Sequence, residues 1–190
     1  MTQRPFQAIV MGASAGGLDA LRCILGGLPV SLPVPVLVVQ HVSPDSDSYI
    51  PVFLGTNTEL FVKEAEDKEL LAAGVVYVAP PNYHLLVGPD KTLALCVGSR
   101  INFSRPAIDV LFESAAEAYA SGLIGVILTG ANHDGAKGLA RVKSVGGLAI
   151  VQDPASALAP AMPRAALAAC TADYVLPAEE IAPLLNRLLS

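Results

Sequence analysis

The feature that most constrains this chain is a regular alternation of short, continuous apolar runs with segments of helical spacing. Residues 8–11 read as a strand and 17–28 as the helix after it. Residues 34–39 are β-branched residues and Leu, with Pro35 near the start and polar Gln40-His41 at the end. Such a run fits a strand covered on both faces. Further strands are predicted at 60–63, 75–78, 124–128, 148–151 and 174–176, and helices at 108–119, 136–145, 163–169 and 179–189. Strands at 85–87 and 93–97 flank Gly88-Pro89-Asp90-Lys91, whose turn-forming residues predict a hairpin. Parallel strands need long crossovers, usually helices, so this order implies an α/β domain with a largely parallel sheet.

The composition supports one such domain. Of 190 residues, 53% are hydrophobic and 15% charged, enough to fill a sizeable core and too apolar for disorder. The net charge of −5 and the lack of a Lys/Arg cluster argue against nucleic acid as a partner, and against attraction to anionic membranes. No apolar run approaches the roughly 18–20 residues of a membrane span, and no secretory signal heads the chain, so no membrane insertion and a cytoplasmic location are expected. Cys23, Cys96 and Cys170 are odd in number and far apart, each in apolar sequence, and are expected to be small buried hydrophobes. No two histidines have metal-ligand spacing, so neither a zinc site nor another cofactor is expected.

In an open α/β sheet, ligands bind beyond the carboxyl ends of the strands, where helix N-termini aim unpaired N–H groups. Three reactive side chains follow predicted strands directly: Ser14 in Gly12-Ala13-Ser14-Ala15-Gly16-Gly17, His41 after Gln40, and Asp134 in Thr129-Gly130-Ala131-Asn132-His133-Asp134-Gly135. Hydroxyl, imidazole and carboxylate are the types that nucleophilic acyl transfer needs. The N–H groups of residues 15–17 are candidate oxyanion donors at a helix start. Taken singly, Ser14 and Asp134 could each be a helix N-cap, and His84 and His133 compete with His41 as the base. Gly12-x-Ser14-x-Gly16 matches the nucleophile elbow of α/β-hydrolases, but the order Ser, His, Asp differs from that fold's Ser, acid, His. A dinucleotide site is the rival reading of Gly12-x-Ser14-x-x-Gly17. It lacks the middle glycine and the acidic residue about 20 positions on.

With these motifs the chain resembles the catalytic domain of the CheB chemotaxis methylesterases from about residue 10 to 181. The likeness extends through Ala79-Pro80-Pro81-Asn82-Tyr83-His84, Arg105-Pro106-Ala107-Ile108-Asp109-Val110-Leu111-Phe112, Gln152-Asp153 and Ala161-Met162-Pro163-Arg164-Ala165-Ala166. The resemblance implies a three-layer α/β/α domain with a doubly wound, mostly parallel sheet. It implies Ser14 as nucleophile, His41 as general base and Asp134 as orienting acid. The implied substrate is a glutamate γ-methyl ester on the cytoplasmic helices of a methylated chemoreceptor, with glutamine deamidation in some members. Family members commonly carry an N-terminal phospho-receiver domain. Here the catalytic domain starts within about ten residues of Met1, so residues 1–190 are expected to be one catalytic domain with no receiver domain in this chain, either an excised fragment or a member without that control. Ala15, Ala131, Asn132 and His133 depart from the family's usual residues, as does the stretch holding Ser43, Asp45, Ser46, Asp47 and Ser48. These departures bear on efficiency and substrate choice, and they motivate a second expectation, a catalytically weak domain that binds a chemosensory partner.

Overall fold

The computed structural model describes residues 6–43 and 49–190; the segment holding Asp45, Ser46, Asp47 and Ser48 lies outside them. In chain order the elements are β1 (Ala8–Ala13), α1 (Gly17–Gly26), β2 (Val36–Gln40), α2 (Ile50–Gly55), β3 (Phe61–Glu64), β4 (Val75–Val78), β5 (His84–Val87) and β6 (Leu93–Cys96). They continue with α3 (Ile108–Tyr119), β7 (Leu123–Ile127), α4 (Ala136–Ser144), β8 (Leu148–Gln152), α5 (Ala161–Ala169), β9 (Tyr174–Leu176) and α6 (Ala178–Leu189). Seven strands form one parallel sheet in the order β3-β4-β2-β1-β7-β8-β9, and β5 and β6 pair as a separate antiparallel hairpin.

Successive side chains of a strand point to opposite faces, and here both faces are covered. Ile9, Met11, Ala13, Val36 and Val38 pack with Leu21, Ile24 and Leu25 of α1 and with Ile181 and Leu185 of α6. Val10, Leu37 and Val39 pack on the other side with Ile108, Leu111 and Phe112 of α3, Leu139 of α4 and Met162 of α5. Leu85, Val87 and Leu93 of the hairpin extend that second cluster. The uninterrupted apolar runs of β1 and β2 thus reflect burial on two sides, and the layers are the α/β/α arrangement expected.

Three details differ from the sequence reading. β1 continues through Gly12 and Ala13, small residues read as the start of a turn, because Gly12 pairs with Val39 on one side and Ile127 on the other. The helix α2 was not anticipated: it has six residues and buries only Ile50 and Leu54, too few for a helical period to register. The cysteines are not buried hydrophobes. Cys23 and Cys96 are exposed and Cys170 is half-buried. Cys23 lies off the α1 face that buries Leu21, Ile24 and Leu25, and Cys96 ends the β6 edge of a two-stranded hairpin.

The close approach of α4 to α3 depends on Gly138 in α4. A Cβ there would lie 2.5 Å from Cβ of Phe112 and 3.1 Å from Cα of Asp109. Helix propensity alone favours Ala over Gly by about 1 kcal/mol. Forcing a methyl into packed backbone costs roughly 1–3 kcal/mol, so packing should win. Gly138→Ala is therefore expected to lower the unfolding free energy, by up to about 2 kcal/mol, in urea titration, the reverse of the propensity effect.

Candidate active site

β2, β1 and β7 are adjacent and parallel, so the loops carrying His41, Ser14 and Asp134 leave the same edge of the sheet. The strand order also reverses here, since the chain runs from β1 to β2 on one side and returns to β7 on the other. Loops diverge at such a point and leave a crevice.

Backbone and side-chain bonds fix the nucleophile loop. The Ser14 N–H donates to Thr129 O at 3.0 Å and the His41 N–H to Ala13 O at 3.0 Å, which continues the strand pairing by one residue. Gln40, buried at the end of β2, donates from Nε2 to Ser14 O at 2.9 Å and to His41 O at 3.0 Å, joining the two loops. Thr129 Oγ1 donates to Ala15 O at 2.9 Å. The α1 helix is capped by Gly16 in a left-handed conformation, φ +75°, with no side-chain cap, so Ser14 is not an N-cap. The Gly17 N–H, expected as an oxyanion donor, is already bonded to Ser14 O at 2.8 Å. Among the described residues, the Ala15 and Gly16 N–H groups have no partner and remain for that role.

Asp134 is fully buried, and its carboxylate accepts four hydrogen bonds. His41 Nε2 at 2.8 Å and the Ile108 N–H at 2.6 Å bond Oδ2, while Asn102 Nδ2 at 2.8 Å and the Asp109 N–H at 3.2 Å bond Oδ1. Asp134 is not the cap of the helix that follows it, where Gly135 stands without a side-chain cap. It instead caps α3, whose own N-cap residue, Ala107, has no side chain to do so. Burial by itself would raise the Asp134 pKa. The bonds from His41, Ile108, Asn102 and Asp109 outweigh it and hold the carboxyl below its ordinary value. Asp109, bonded to Asn102 Nδ2 at 2.9 Å and the Gly138 N–H at 2.7 Å, is shifted the other way, chiefly by burial, with the Asp134 charge adding to it.

The other histidines drop out. His84 is buried between Ser99 O, 2.9 Å from Nε2, and the Ala107 N–H, 3.2 Å from Nδ1, so both its nitrogens are used structurally. His133 is exposed. Of the expected three, His41 and Asp134 are in direct contact and Ser14 lies on the neighbouring strand end. Among the described residues, Ser14 Oγ makes no hydrogen bond, and His41 Nδ1 is 3.2 Å from Asn132 Nδ2. The described residues hold no cluster of His, Cys, Asp or Glu suited to a metal. Sequence reasoning missed Gln40, Asn102, Asp109 and Asn132 as site residues. Gln40 carried one usable signal, a polar residue closing an apolar strand; Asn102 carried none, being 32 positions from the carboxylate it bonds.

A doubly wound sheet with hydroxyl, imidazole and buried carboxylate at adjacent strand ends defines a protein of the hydrolase class. The chain belongs to the CheB methylesterase family, whose model matches residues 9–185. A Leptospira interrogans protein named putative protein-glutamate methylesterase/protein-glutamine glutaminase is 53% identical over 96% of this chain and 95% of its own length. The Thermotoga maritima protein-glutamate methylesterase/protein-glutamine glutaminase is 40% identical over 95% of this chain, which spans 54% of that relative. The crystal structure of the Thermotoga maritima CheB methylesterase catalytic domain superposes with a TM-score of 0.92 at 39% identity, covering 97% of this chain and all of that one.

The depressed Asp134 pKa has a definite consequence for stability. The contribution is present above the ordinary carboxylate range, near pH 3.8, and is lost as pH falls through the lowered folded value. Urea unfolding between pH 6 and about pH 2 should show the stability advantage of the wild type over Asp134→Asn shrinking with acidification.

Proposed function

We propose that this chain is a protein-glutamate methylesterase acting as a serine hydrolase, with Ser14 as nucleophile, His41 as general base and Asp134 as the orienting acid. The observation that carries this reading is the 2.8 Å bond between His41 Nε2 and the buried Asp134 carboxylate, beside Ser14 on the adjoining strand end. An ionised Asp134 accepts from Nε2–H, which leaves Nδ1 as the basic nitrogen. Ser14 Oγ attacks the γ-ester carbonyl while its proton passes to Nδ1. The Ala15 and Gly16 N–H groups, at the positive end of α1, stabilise the oxyanion. Methanol leaves with that proton, and water activated by the same nitrogen cleaves the acyl-enzyme. With a glutamine side chain the leaving group is ammonia, in line with the second activity in the relatives' names.

The substrate is a methylated glutamate on a chemoreceptor's cytoplasmic helices, which places the protein in the cytoplasm. No described helix is long and apolar enough to cross a membrane. The second reading, a domain that binds a chemosensory partner without turnover, draws on the absence of a Ser14–His41 bond. Methanol release from membranes bearing methylated receptors tests the first reading. Ser14→Ala and His41→Ala should each lower turnover by about 10³-fold or more. Full release by Ser14→Ala would overturn the mechanism, and no release by folded wild-type protein would favour the binding domain.

A further inference from the structure

The Asn132 amide faces the nitrogen of His41 to which the mechanism above assigns the role of base. Its Oδ1 accepts the Asp134 N–H at 3.0 Å, so the group facing the imidazole is the amide Nδ2. That nitrogen lies 3.2 Å from His41 Nδ1. Asp134 Oδ2 accepts from Nε2, so Nδ1 bears the lone pair and Asn132 donates to it. The three residues close a ring: Asp134 N–H to Asn132, Asn132 to His41, His41 to Asp134. An imidazole nitrogen has one lone pair in the ring plane, and it cannot accept from Asn132 and take the Ser14 proton together.

Resting on the triad assignment above, we propose that Asn132 is a positioning residue that holds the general base in an occupied resting state and must release Nδ1 before Ser14 can react. The residue is half-buried, beside exposed Ala131 and His133, so its side chain has room to turn outward. A neutral hydrogen bond of this kind contributes on the order of 1 kcal/mol, so its loss should accelerate nucleophilic attack by roughly three- to tenfold. A residue that merely braced the imidazole would do the opposite when removed.

The probe is a small fluorophosphonate that reads Ser14 reactivity without receptor contacts. Ser14 Oγ bonds to phosphorus, the P–F bond breaks, fluoride leaves, and the hydroxyl proton goes to Nδ1. Asn132→Ser is the principal variant. Its hydroxyl can still accept the Asp134 N–H, as Ser does in local turns, but is too short to reach Nδ1. Asn132→Gly removes both contacts, and thermal unfolding identifies which variants are folded. The expected result is labelling of Asn132→Ser about three- to tenfold faster than wild type, with kcat/KM for methanol release raised in the same direction. Equal or slower labelling of folded Asn132→Ser, against a wild type that labels, would overturn the proposal alone, and no labelling of either folded protein would overturn it together with the triad assignment. Failure of the triad assignment itself reads differently, as labelling that persists in Ser14→Ala.

Discussion

The buried carboxylate of Asp134 is the interaction on which the rest of the site depends. A charge taken out of water is tolerated only where hydrogen bonds replace its hydration. Four donors do so here: His41, Asn102 and two backbone N–H groups at the start of α3. Those N–H groups belong to the positive end of a helix dipole, worth up to about 2 kcal/mol toward an anion in a partly buried setting. One carboxylate therefore caps a helix, stays ionised and sets the tautomer of the imidazole.

This arrangement makes the site a property of the fold. Asp134 lies between β7 and α4, the N–H groups come from α3, and Asn102 comes from the loop before α3. Gly138 brings α4 against α3 and donates its N–H to Asp109, which shares Asn102 with Asp134. Two carboxylates thus stand on one amide, shifted in opposite senses: Asp134 is kept charged by its donors, and Asp109 is drawn toward protonation by burial. The strand order switches between β1 and β7, and Gln40 at the end of β2 ties the Ser14 and His41 loops together.

The sequence made much of this legible, for identifiable reasons. Strand–helix alternation gave the layers, because burying both faces of a parallel sheet leaves unbroken apolar runs such as residues 36–39. Reactive residues at strand ends pointed to Ser14, His41 and Asp134, because parallel strands deliver their carboxyl ends to one edge. Where the reading failed, the cause was a contact distant in sequence. The capping role of Asp134 went to the helix 26 residues before it, counted to Ile108, rather than to the helix after it. The cysteines sit in apolar sequence, yet the pleat and the helix face turn Cys96 and Cys23 outward.

The sequence by itself determined that a hydroxyl, an imidazole and a carboxylate follow strands of an α/β sheet, since residue type and hydrophobic period are local properties. Only the tertiary structure decided which histidine faces the acid, which of its nitrogens meets the carboxylate, and that the Asn132 amide lies 3.2 Å from the other. These depend on hydrogen bonds spanning as many as 93 residues, whose geometry exists only once β2, β1 and β7 are side by side.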